Sequence, residues 1–117
     1  MKPLDLDIVK IHPITIGDFL INKLEIDLKH VNYGLDPKTK EFRKRARSKL
    51  TIEEVIKLFQ LLDGIVVGPT TITERYAYFT SEVYPFWLKS WFKLIFCVEL
   101  NKPRIAGVIT VYQIKKK

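Results

Sequence analysis

The sequence predicts an α+β fold: two helices packed on one face of a four-stranded antiparallel sheet, with an extra strand or helix element at the N-terminus. Three observations predict it. Residues 51–63 carry apolar side chains at helical spacing behind a capping signal, and residues 65–114 read as successive strands. Residues 36–50 are strongly basic, with only a thin apolar stripe, as a surface helix would be. Helices in one stretch and strands in the next segregate the helices to one side of a sheet. At 117 residues, 47% hydrophobic and 28% charged, the chain fits one domain with its own core. It shows no internal repeat and no low-complexity segment.

Residues 1–22 supply apolar mass in Ile8, Val9, Ile11, Ile14, Ile16, Phe19, Leu20 and Ile21, broken by His12-Pro13 and Gly17. Pro13 pushes His12 into extended geometry. Gly17-Asp18 reads as a turn or a helix start, with Asp18 placed to cap a short helix to about Lys23. Residues 24–31, LEIDLKHV, alternate strictly, so they predict a half-buried strand with His30 on the apolar parity at its end. Asn32-Tyr33-Gly34 and Asp36-Pro37 are turn-like. A helix over residues 37–48 follows, with Pro37 at its first position and Phe42, Ala46 and Leu50 as the apolar stripe.

Thr51 and Glu54 form a capping box that opens the core helix. Ile52, Val55, Ile56, Phe59 and Leu62 share one face, Leu58 and Leu61 widen it, and Gly64 ends it. The four strands are residues 65–67, 72–80, 91–100 and 104–114, with an aromatic loop or strand edge over 81–90 and a tight turn at 101–103. Phe92, Leu94, Phe96 and Val98 occupy one face of the third. In the last, Ile105, Ile109 and Val111 share one parity, against Val108, Thr110 and Tyr112 on the other.

The net charge is +7, and its distribution is uneven. Between Asp36 and Leu50, seven lysines and arginines stand against two acids, a surplus of five. That concentration points to a polyanion as partner. The single cysteine, Cys97, lies in the apolar run LIFCVEL, which suits a structural thiol. Two histidines and one cysteine exclude a Cys/His zinc site, so no metal and no cofactor are expected. MKPLDLDIVK lacks the apolar region of a secretory signal, and no run is long enough to span a bilayer. The expectation is a cytoplasmic protein without a membrane partner.

Glycine-rich phosphate loops, paired cysteines and serine elbows are absent. What remains suits metal-free RNA cleavage, which needs an acid and a base for the ribose and leaving oxygens and cations for the phosphate. Histidine is the residue type whose ordinary charge change lies nearest neutral pH, so His30 is the candidate acid or base. Arg43 and Arg47 are candidate charge stabilisers, and Thr110 and Tyr112 are candidates to position the scissile phosphate. Lys40, Lys44, Arg45 and Lys93 are the candidate substrate-binding cations. Exposed aromatics near them would stack unpaired bases.

A histidine, a basic helix, LTIEEVIKLF, then YAYF, WFKLIFCVEL and GVITVYQI together resemble small ribonuclease toxins of the RelE/BrnT-like kind. These belong to the wider barnase-like, colicin-tRNase-like and RelE-like group. The pieces that carry the resemblance are His30, residues 43–47, residues 50–55 and residues 108–111, within about residues 29–114. The resemblance implies a metal-independent ribonuclease acting on tRNA or mRNA. It also implies an acidic antitoxin or immunity protein that covers the basic surface. Two other functions fit the same residues: a non-catalytic nucleic-acid-binding domain, and a protein-interaction accessory module.

Overall fold

The computed structural model describes residues 6–34, 38–41 and 49–115. Six strands, β1 (Leu6–Ile16), β2 (Phe19–Asp27), β3 (Thr71–Ile72), β4 (Tyr76–Val83), β5 (Trp91–Glu99) and β6 (Ile105–Ile114), form one mixed sheet. Their order is β1-β2-β6-β5-β4-β3. Two short helices, α1 (Leu28–Tyr33) and α2 (Ile52–Gln60), lie between β2 and β3 in sequence. The expected four-stranded antiparallel sheet under two helices is therefore overturned. The N-terminal element is a hairpin inside the sheet, and β2 runs parallel to β6 from Lys23↔Ile105 to Ile26↔Val108.

The physical reasons lie in particular residues. Pro13 reads as a break, yet β1 is an edge strand, where a missing N–H on the open side is tolerated. The β1–β2 register shifts between Lys10 and Ile14, so the strand absorbs the proline in a bulge. The expected helix from Asp18 does not form. Gly17 and Asp18 instead make a two-residue turn between the paired Ile16 and Phe19. Gly17 has φ 56° while Asp18 does not enter positive φ, the pattern of a II′ hairpin turn. At the other end, the alternation of LEIDLKHV stops at Asp27. Its carboxylate accepts from the His30 N–H at 3.1 Å and starts α1, so His30 is helical rather than a strand terminus.

Further along, residues 38–41 are turn and bend rather than helix, with Lys40 at φ 62°. Pro37 and residues 42–48, the rest of the expected basic helix, lie outside the described residues. The capping box is present: Thr51 Oγ1 accepts from Glu54 N at 3.2 Å, and Glu54 Oε1 accepts from Thr51 N at 2.9 Å. Residues 65–67 do not form a full strand. Ile65 alone bridges to Ile16, and β3 forms later, at residues 71–72.

The sheet curls around α2. Phe19 on β2 and Phe79 on β4 are separated by two strands, about 14 Å in a flat sheet. Their ring centroids nevertheless stand 5.8 Å apart, edge to face. Three irregularities bend the strands: the shift in β1, a bulge where Asn22 and Lys23 both donate to the Arg104 carbonyl, and a shift between Ile95 and Phe96 against β6. The last one exchanges the parity of β6, so Val108 and Val111 both reach the core. On the concave side α2 buries Val55, Leu58 and Phe59. Phe59 meets Phe96 at 5.0 Å, and Phe96 stacks on Phe79 at 5.0 Å. Among the described residues, no helix is long and apolar enough to cross a membrane.

A Cβ at Gly17 would stand 2.6 Å from the Val67 carbonyl oxygen, on top of the strain of positive φ. Gly17→Ala should therefore destabilise the fold by about 2 kcal/mol. Chemical denaturation of the two proteins would show this as a lower midpoint at unchanged m-value.

Candidate nucleic-acid interface

The Asp27 cap fixes α1 at the end of β2, and α1 packs against β6 where β2 stops pairing with it. His30 is half-buried on this helix, and its carbonyl accepts from the Gly34 N–H at 2.8 Å. The strand that α1 touches carries Thr110 and Tyr112. Tyr112 lies directly opposite Lys93 of β5, so their side chains share the convex face. Four of the nine predicted residues thus belong to two adjoining strands and the helix beside them. Thr110 is 9% exposed and lies beneath the surface rather than on it. Lys40 is exposed in the 38–41 turn, whereas Arg43, Lys44, Arg45 and Arg47 lie outside the described residues.

One residue that sequence reasoning missed ties the basic segment to the sheet. The Asn32 side chain donates from Nδ2 to the Leu50 carbonyl at 3.0 Å and accepts at Oδ1 from the Leu50 N–H at 2.9 Å. An amide carries a donor and an acceptor side by side, so it satisfies a lone backbone residue as a neighbouring strand would. The pair holds together Asn32 and Leu50, the residues that flank the basic segment. The available signal was an Asn ahead of the basic segment, which is equally common in turns that clamp nothing.

Lys49 and Leu50, at the end of the basic segment, adjoin a second feature. A recess of about 190 Å³ is lined by Lys49, Leu50, Leu88, Ser90, Phe92 and Gln113, together with one acid, Glu54. It brings Lys49 and Leu50 against the 84–90 connection, where Gln113 Nε2 donates to Ser90 Oγ at 2.9 Å. That connection exposes Tyr84 and Phe86, the latter 77% exposed, beside Lys89. Tyr84 leans on Trp91 at 5.5 Å and Phe86 on Trp87 at 5.5 Å, so both rings are supported edge-on. Cations and outward-facing aromatics therefore meet at one end of the central hairpin.

Cys97 lies toward the other end of β5. Burial first, then Glu25, pushes its thiol up from the ordinary cysteine value, which keeps it protonated and structural near neutral pH. No family model matches the chain, and no curated protein or solved structure matches it. The resemblance to a toxin family accordingly rests on the short motifs alone.

Asn32→Ala would strand the Leu50 N–H and carbonyl together. The expected loss is about 2 kcal/mol, with faster amide exchange at Leu50 and earlier proteolysis within residues 33–49 than in the parent protein. Hydrogen exchange followed by mass spectrometry reads both.

Proposed function

We propose that this protein binds RNA, with the basic segment gripping phosphates and the neighbouring aromatic connection stacking unpaired bases. The observation that carries the reading is the recess that puts Lys49 and Leu50, at the end of the basic segment, against the connection exposing Tyr84 and Phe86. Phosphate contacts supply affinity without sequence preference, and base stacking is tolerant of sequence for the same reason that every base has a π-face. A single-stranded ligand suits the arrangement, because a duplex keeps its bases out of reach of exposed rings.

Fluorescence anisotropy with a labelled oligouridylate should give an affinity that falls steeply with salt, with a log–log slope of about 0.7 per phosphate contacted. Phe86→Ala, and separately Tyr84→Ala, should each weaken binding by about tenfold with little change in that slope. Binding that ignores salt, or that survives loss of both rings undiminished, overturns the reading.

A second reading is favoured by the packing of α1 on β6, which sets His30 on an element beside Tyr112 and Lys93. In it the protein is a metal-independent ribonuclease toxin acting on tRNA or mRNA. His30 transfers the proton, Tyr112 positions the phosphate, and Lys93 with the arginines of the basic segment stabilises its charge. An acidic antitoxin or immunity protein would then neutralise it by covering the basic segment. Pure protein incubated with total RNA in EDTA should yield defined fragments. His30→Ala should reduce their formation by a factor of 100 or more, on the order of the general acid–base contribution. Intact RNA after incubation with the unmodified protein rules this chemistry out.

A further inference from the structure

Two adjoining recesses flank the β2 bulge, at the opposite end of the central hairpin from the aromatic connection. One, of about 390 Å³, is lined by Lys10, Ile11, Pro13, Asn22 and Lys23. The other, of about 310 Å³, is lined by Asn22, Lys23, Lys102, Pro103, Arg104 and Ile105. Lys10 stands directly opposite Lys23 in the β1–β2 register. Like charges in that position destabilise a strand pair. Lys102 and Arg104 add two more cations from the turn between β5 and β6. None of the four makes an ion pair among the described residues.

Two carboxylates, Glu25 and Glu99, line a neighbouring recess of about 90 Å³ around Cys97, which shares Lys102 and Ile105 with the second of these recesses. Glu99 is also engaged by Arg75, at 4.0 Å. The floor beneath the cations is fixed, because the Arg104 carbonyl accepts from both Asn22 N at 2.9 Å and Lys23 N at 3.2 Å. Neither of the two larger recesses is lined by an acid, and Lys102 alone of the four also faces the glutamates, so the cationic surplus around this concave surface raises the local positive potential where an anion can enter.

We propose that these recesses form a second phosphate-contacting site for the sugar–phosphate backbone of RNA, with Lys10, Lys23, Lys102 and Arg104 as its contacts. The proposal rests on the RNA-binding reading above and extends it to a second surface. The length of β5, Trp91–Glu99, separates this site from the aromatic connection by about 26 Å at the usual strand rise. An RNA long enough to reach both holds the second contact intramolecularly, and avidity follows from that. An oligonucleotide too short for the span engages one site at a time.

The test is anisotropy of a labelled 16-nucleotide oligouridylate across a salt series, with the parent protein and with the double variant Lys23→Gln/Arg104→Gln. Two lost phosphate contacts should lower the log–log salt slope by about 1.4 and weaken 16-mer binding by about tenfold at 100 mM salt. A 4-mer should lose less. A parallel Lys10→Gln/Lys102→Gln variant repeats the measurement should the first melt early by circular dichroism. If the parent binds and both variants keep its slope and affinity, the second site is overturned while RNA binding stands. If the parent itself fails to bind, both fall together.

Discussion

The parallel seam between β2 and β6 is the constraint on which the rest of the molecule depends. A hairpin needs only its own turn, but parallel strands must be joined by a long crossover. Here everything from Leu28 to Arg104 lies between the two partners, and β3, β4 and β5 are already laid into the same sheet before Ile105 meets Lys23. The seam draws Leu24 and Ile26, both fully buried, into the same core as Ala106 and Val108. It also decides where α1 sits, since the helix starts where β2 stops pairing and comes to rest against the continuing strand. His30, Tyr112 and the Asn32 clamp share one quarter of the protein because of it.

Curvature is the second consequence of that arrangement. Six strands laid flat would leave α2 covering a fraction of one face, whereas the bent sheet wraps Phe19, Phe79, Phe96 and Phe59 into one aromatic column. The bends come from bulges, and a bulge also re-aims the side chains on either side of it. The bulge at Asn22 and Lys23 therefore does two things at once. It turns β2 toward the core and leaves a cationic hollow on the outside.

Sequence periodicity revealed the parts whose structure is local. The Thr51–Glu54 box, the apolar face of α2, the buried row Phe92, Leu94, Phe96 and Val98, and the turn before β6 were all legible because each is specified within a few residues. Residues 6–23 were not, since β1 alternates correctly only on each side of its bulge, and Pro13 with Gly17 imitates a loop when read singly. Parity in β6 failed for the same reason at Ile109. Of the candidate site, the basic surplus and the candidacy of His30 came from composition. The Asn32–Leu50 clamp and the Lys10–Lys23 juxtaposition did not, because each joins residues that only the folded sheet makes neighbours.

The strap that leaves α2 ties together the two margins of the sheet. Gly17 N donates to the Ile65 carbonyl and Gly64 N to the Thr15 carbonyl, each near 2.9 Å, and Thr70 N then donates to the Tyr78 carbonyl beyond β4. One end of β1 is thereby occupied, the middle of that strand is interrupted by Pro13, and β3 spans two residues. Among the described residues, the border of β1 open to a foreign strand is therefore interrupted, and that of β4 is shortened by β3. The same few residues that close the curl thus also reduce the regular ladder on which a second copy could pair edge to edge.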